Sequence, residues 1–145
     1  MSGTNMDLYF ERPCQVIDFL PSQVPPEDGD RFFAVERLYL SGKRCRELRE
    51  RFADVILKLY CYDRLTVYEN GEETGAADPA PGGLSDSIIR ARKDLAFHLP
   101  GQDALITLGR DDTHMTVYGA SEQLLCRIRL LAASNGLFVW QPQGQ

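Results

Sequence analysis

Positive charge is what this chain is short of. Sixteen Lys and Arg stand against 21 Asp and Glu, a formal net charge of −5. A nucleic-acid partner would call for a basic face on the domain, so none is expected. Histidine occurs only twice, as His98 and His114, which excludes a His-rich metal centre, and no metal or cofactor is expected. No stretch approaches the roughly 18 apolar residues of a membrane span, and Met1–Asp7 lacks the basic and apolar regions of a secretory signal. The expectation is a cytoplasmic chain with no membrane partner. Phosphate-binding glycine loops, dinucleotide fingerprints, H-E-x-x-H and G-x-S-x-G are all missing.

The four cysteines (Cys14, Cys45, Cys61, Cys126) contain no C-x-x-C pair. Cys45 and Cys61 fall on one expected helix, about 24 Å apart and pointing to different sides, so they can share neither a disulfide nor a metal. Reduced, buried thiols acting as small apolar residues are the expectation.

What is present fits an ordinary single globular domain over residues 1–145. Hydrophobic residues make up 43 %, and seven Phe, six Tyr and one Trp need burial. Cys14–Leu20 reads as a β-prone run, and Pro21–Asp30 as a loop. Phe32–Leu40 suits either a helix or a buried strand, with a helix favoured. The strongest helix spans Arg44–Tyr60, where Leu48, Phe52, Val55, Ile56, Leu59 and Tyr60 form one apolar stripe opposite i,i+4 charge pairs.

Leu65–Glu69 predicts a strand. Asn70–Gly83 carries four glycines, two prolines and no large apolar side chain, which predicts a flexible acidic loop. A helix capped by Ser85 or Asp86 is expected to run to about His98, with Leu84, Ile88, Ala91 and Leu95 inward. Ala104–Gly109 and Thr113–Gly119 form an expected hairpin. A helix over about Ser121–Ser134 and a strand over Leu137–Gln141 complete the chain, with a polar tail at 142–145. The order from Leu65 onward resembles the β-α-β-β-α-β order of ferredoxin-like folds. The expected fold is therefore α+β with a mainly antiparallel sheet. That C-terminal part carries an N-terminal segment and the long amphipathic helix packed on it. The resemblance is one of element order and implies no function.

Three places are candidates for chemistry. Asp111, Asp112 and His114 could form a weak metal or acid/base site, but Asp-Asp-Thr is ordinary turn chemistry. Glu27-Asp28-Gly29-Asp30 lacks calcium-loop spacing and reads as a solvated loop. Lys43, Arg44, Arg46, Arg49 and Arg51 crowd the start of the long helix, where cations oppose its dipole. Three accounts are open for this cluster: an anion or acidic partner, a helix that starts earlier near Arg31, or a solvated face.

Period-2 alternation places Leu65, Val67, Ile106, Leu108, Met115 and Val117 on one sheet face. Thr66, Tyr68, Thr107, His114, Thr116, Tyr118 and Trp140 fall on the other. That second face is expected to be covered by N-terminal residues, the long helix among them. The candidate binding residues are Lys43, Arg44, Arg46, Tyr68, His114 and Tyr118, with no catalytic set.

These features predict a non-enzymatic protein-binding or regulatory domain, of immunity type or similar, with another protein or a second copy as partner. The alternative is a small enzyme or ligand-binding domain with a site between the N-terminal segment and the sheet. Between Arg64 and Arg90 lie five acids (Glu69, Glu72, Glu73, Asp78, Asp86) and no base, so the net charge is a property of that stretch.

Overall fold

The computed structural model describes residues 6–90 and 92–143, with the side chains of 75–77 excepted. It contains one seven-stranded sheet in the order β3-β2-β4-β5-β6-β1-β7, all pairs antiparallel. The strands are β1 (Cys14–Asp18), β2 (Thr66–Glu69), β3 (Glu72–Ala77), β4 (Leu95–Leu99), β5 (Ala104–Leu108), β6 (His114–Tyr118) and β7 (Phe138–Trp140). The helices are α1 (Gly29–Tyr39), α2 (Gly42–Tyr60), α3 (Pro81–Arg90) and α4 (Glu122–Ala133), with 3-10 helices at Met6–Glu11 and Pro26–Asp28. No described helix is long and apolar enough to cross a membrane.

The mixed α/β character and the antiparallel sheet agree with the expectation; the ferredoxin-like order does not. Leu95–Leu99, expected to end a helix, is a strand paired on both sides. It is buried on both faces, so its apolar run shows no period of two. The helix before it stops at Arg90, and the inward position expected for Ala91 lies outside the described residues.

The second correction concerns Asn70–Gly83. Asn70 and Gly71 adopt φ of +52° and +83°, and Glu69 pairs with Glu72. A two-residue Asn-Gly turn with positive φ at both positions twists as neighbouring strands do, so it closes a tight hairpin. β3 therefore occupies six of the fourteen residues in the stretch expected to be a loop. α3 also starts before Ser85, at Pro81, a residue suited to a first helical turn.

The apolar stripe of α2 meets the sheet as its spacing requires. Leu48, Phe52, Val55, Ile56 and Leu59 share one core with α3, α4 and the inward side chains Ile17, Val67, Phe97, Ile106 and Val117. Arg49, counted with the surface cluster on sequence alone, is buried in α2. Its guanidinium donates to the carbonyls of Ile88 at 2.8 Å and Gly109 at 3.2 Å. Gly42, at φ +58°, separates α1 from α2, so no helix runs on from Arg31 through Gly42.

The expectation that α2 covers the polar sheet face is overturned, because α2 lies on the apolar one. Cys61 and Cys126 are exposed and Cys14 and Cys45 half-buried, so the thiols are not all core residues.

The polar face is roofed by two short N-terminal pieces. The 3-10 helix at Met6–Glu11 lies over its β2–β6 part, where Tyr9 packs with Tyr68, Ala96 and Leu105. The segment from Leu20 into α1 closes over the ends of β1 and β6. α1 has no fully buried residue, and Phe33, Val35 and Leu38 on it are exposed.

Candidate functional site

β1 pairs with β6 on one side and β7 on the other, which sets Val16 opposite Trp140 and Asp18 opposite both His114 and Phe138. Alternation sends Ile17 into the main core and turns Val16 and Asp18 to the opposite face, where His114 and Trp140 also point. Over them lie Val24, Pro25, Pro26, Phe32 and Phe33, from the loop after β1 and the first turns of α1. Together they enclose a cleft of about 460 Å³. Its walls are aromatic and aliphatic, with Asp18, Gln23, Thr113 and His114 as its polar side chains.

Two contacts from distant parts of the chain hold the roof in place. Thr113 Oγ1 donates to Glu36 Oε2 of α1 at 3.3 Å, and the Gln143 backbone N–H donates to Gln23 Oε1 at 2.8 Å. The Phe19 and Tyr39 rings add an apolar contact at 4.6 Å between centroids.

Asp18 is the chemical centre of the cleft. It is 6 % exposed yet forms part of the wall. Burial pushes its carboxyl above the usual range, because the charged form loses water. The backbone N–H groups of Leu20 and Phe19, the neighbouring His114 and the Trp140 indole pull the other way without cancelling that effect. Trp140 Nε1 donates to Asp18 Oδ2 at 3.3 Å. Among the described residues no Lys or Arg forms an ion pair with Asp18 or lines the cleft.

Of the six residues singled out in the sequence, only His114 lines this cleft. Tyr68 is buried beneath the N-terminal 3-10 helix. Tyr118 is half-buried, its ring 5.1 Å from that of Phe10. Lys43, Arg44 and Arg46 are exposed at the start of α2. Arg44 lies over the Tyr39 ring at 5.7 Å, and Arg46 approaches Glu50 at 4.0 Å. The structure therefore does not gather the six into one site. Asp112 accepts from the Gly109 backbone N–H at 3.2 Å and returns a backbone bond to the Gly109 carbonyl, which is turn chemistry. Cys14 lies on the polar face, where burial pushes its thiol up and weakens it as a nucleophile.

Sequence reasoning missed Asp18, Val24, Phe32 and Phe33 as site residues. The signal available was an acidic residue closing an apolar strand. Its pairing with His114 and Trp140 depends on sheet partners about 100 residues away, which no local pattern announces.

The polar face bears two further features. A cavity of about 570 Å³ opens between Met6, Phe10 and Tyr118 and the exposed Asp94 and Asp111. Beside it, Tyr9 donates to Asp103 Oδ1 at 2.8 Å and lies 3.0 Å from His98 Nε2. Arg12 stacks on the Tyr9 ring at 4.3 Å and pairs with Asp103 at 3.1 Å. This group fastens the N-terminal 3-10 helix to the β4–β5 turn.

The fold and cleft define an α/β protein with one antiparallel sheet and a small apolar chamber in which, among the described residues, Asp18 is the one carboxylate. No family model, curated protein or solved structure matches the chain.

Proposed function

We propose that this protein is a ligand-binding domain that takes a small, largely apolar molecule between its N-terminal segment and the sheet. The observation that carries the reading is the cleft over Val16, Asp18, His114 and Trp140. Its volume of about 460 Å³ falls among small-molecule sites, which typically span roughly 300–1,000 Å³. Apolar walls with a few convergent polar groups are the usual composition of such sites. The long helix, which would have filled this face had it packed there, is committed to the other side.

The chain's only tryptophan, Trp140, stands in the wall and reports directly on occupancy. N-phenyl-1-naphthylamine, a neutral apolar fluorophore, is expected to quench Trp140 saturably by energy transfer. Amide resonances of the β1 end, the loop roof, His114 and β7 are expected to shift with it. A linear response, or shifts confined to the Met6–Glu11 face, would count against the reading.

A protein-binding or regulatory role draws support from another observation. Val35 and Leu38, three residues apart and so on one side of α1, are both exposed, and neighbouring apolar side chains suit a protein contact. Light scattering coupled to size exclusion tests self-association through that patch. A mass that falls to the monomer value in Leu38→Glu would favour it.

A further inference from the structure

Resting on the ligand-binding reading, we infer that the cleft selects an organic ammonium: a protonated amine on a compact aromatic or aliphatic body. The argument starts from what the chamber lacks. It holds one carboxylate, and among the described residues lining it there is no Lys or Arg to balance that charge. Asp18 is held by N–H donors from Phe19, Leu20 and Trp140, which orient the carboxylate but bring no formal charge. A buried carboxylate costs free energy unless it is paired; the wall's one titratable neighbour is His114, and a ligand ammonium supplies a formal positive charge beside the carboxylate.

The walls suit the rest of such a ligand. Trp140, Phe32 and Phe33 present aromatic surface around the carboxylate, and aromatic faces attract ammonium groups as well as burying hydrocarbon. An anion would meet the Asp18 charge in an apolar chamber. A neutral ligand would fill the volume and leave that carboxylate unbalanced.

The chemistry also fixes a pH dependence. Asp18 is faced by His114 from β6 and by the non-titrating indole of Trp140 from β7. The residues that the loop and α1 contribute to the wall carry no titratable side chain, and Glu36 reaches the rim through Thr113. Lowering the pH neutralises Asp18, which removes the charge that attracts a bound cation, so ammonium affinity rises with pH until Asp18 is fully ionised.

The test uses the full chain and three probes of one shape: 2-phenylethylamine, 2-phenylethanol and phenylacetate, each titrated against Trp140 emission. The expected order is amine, alcohol, acid, with the amine about tenfold or more tighter than the alcohol. Asp18→Asn is expected to cost the amine about tenfold or more and the alcohol far less, closing the gap between them. Should that variant not fold, the wild type serves. Acidification is expected to erase the preference for the amine, which stays protonated throughout, and to spare the alcohol.

Equal binding of amine and alcohol would overturn the ammonium assignment and leave the cleft reading standing. So would an amine preference that survives both Asp18→Asn and acid. Failure of these probes together with N-phenyl-1-naphthylamine would overturn both. A lysine-containing peptide binding ten times more tightly than the amine would overturn the small-molecule assignment in favour of a protein tail. Self-association that the amine does not disrupt would overturn it in favour of a second copy.

Discussion

Trp140 Nε1 donates to Asp18 Oδ2 across 3.3 Å, although 122 residues separate the two in the chain. The contact exists because β1 is inserted between β6 and β7, so the first and last strands pair at one edge of the sheet. The same arrangement takes the Asp18 carboxylate away from water.

That burial has a measurable consequence for stability. The carboxyl of Asp18 is raised above its ordinary value of 3.8, chiefly by desolvation. The native state therefore holds its proton more tightly than the unfolded chain does. Stability is favoured below the unfolded value and declines as the pH rises from there through the raised native value. Asp18→Asn is neutral throughout and lacks this decline. Thermal melts from pH about 4 to about 8 are expected to show the variant gaining on the wild type as pH rises. A gap between the two melting temperatures that stays constant across that range would contradict the argument.

Arg49 offers a test on the other side of the sheet. Its side chain is buried against α3 and the end of β5, where it donates to the carbonyl of Ile88 in the last turn of α3 and to that of Gly109, which also accepts from the Asp112 backbone N–H. Arg49→Met removes the charge and leaves the Ile88 oxygen without this donor, while Gly109 keeps its bond from Asp112. A buried, unsatisfied group costs about 1–3 kcal/mol, and relief from burying the guanidinium offsets part of that. Urea unfolding is expected to show a loss of about 1–2 kcal/mol. Arg49→Lys should fall between, since one ammonium cannot span both carbonyls as the guanidinium fork does. A Met variant as stable as the wild type would remove Arg49 from its role as a staple.

Much of this fold was legible in the sequence, and the failures share a physical cause. The stripe on α2, the β5–β6 hairpin and the Ser121 cap, whose hydroxyl accepts from the Leu124 N–H at 3.1 Å, are set by residues a few positions apart. Local spacing therefore reveals them. Leu95–Leu99 was misread because a strand covered on both faces has no polar side to mark its period. β3 was missed differently. The Asn70-Gly71 turn was in plain view, but Glu72–Ala77 is too small and polar to look like a strand, and only pairing with β2 makes it one.

The site was less legible than the fold. Of its chemical groups His114 was anticipated; Asp18 was read as part of a strand, because nothing near Cys14–Leu20 shows which neighbours it will face. Arg49 shows the same limit in reverse. In sequence it belongs with Lys43, Arg44, Arg46 and Arg51, and only packing separates it from them.

The clasp over the N-terminal 3-10 helix gives a third expectation. The Tyr9 hydroxyl and Arg12 hold the Asp103 carboxyl below its ordinary value of 3.8, the hydrogen bond from Tyr9 being the larger influence. Stability contributed by this group is present above that ordinary value and is lost as pH falls through the lowered one. Asp103 is exposed, so salt screens the contribution. Tyr9→Phe keeps the ring beneath Arg12 and deletes the hydroxyl. The change removes the hydroxyl's bonds to Asp103 and His98 and is expected to lower the melting temperature modestly. The Asp103 resonance in carboxyl-detected NMR titration should move back toward an ordinary aspartate. An unchanged Asp103 titration in a folded Tyr9→Phe would dissociate the two groups.

The roof of the cleft supplies the last expectation, because it links stability to occupancy. α1 has eleven residues, none fully buried, and its ties to the body are few: the Tyr39 ring on Phe19, Glu36 on Thr113, and the Phe32 side of the cleft. A helix with so little buried apolar surface opens at a free energy well below that of global unfolding. Its amides are expected to exchange faster than those of α2 and α4, whose inner faces belong to the main core. A ligand seated between Phe32, Trp140 and Asp18 binds only the closed form. At about 100 times its dissociation constant it should therefore slow exchange across α1 by about 100-fold, while α3 changes far less. Hydrogen–deuterium exchange with and without 2-phenylethylamine reads this directly. Protection that appears uniformly over all four helices would mean that α1 opens only with the whole molecule, and that the cleft is a fixed cavity with no separate lid.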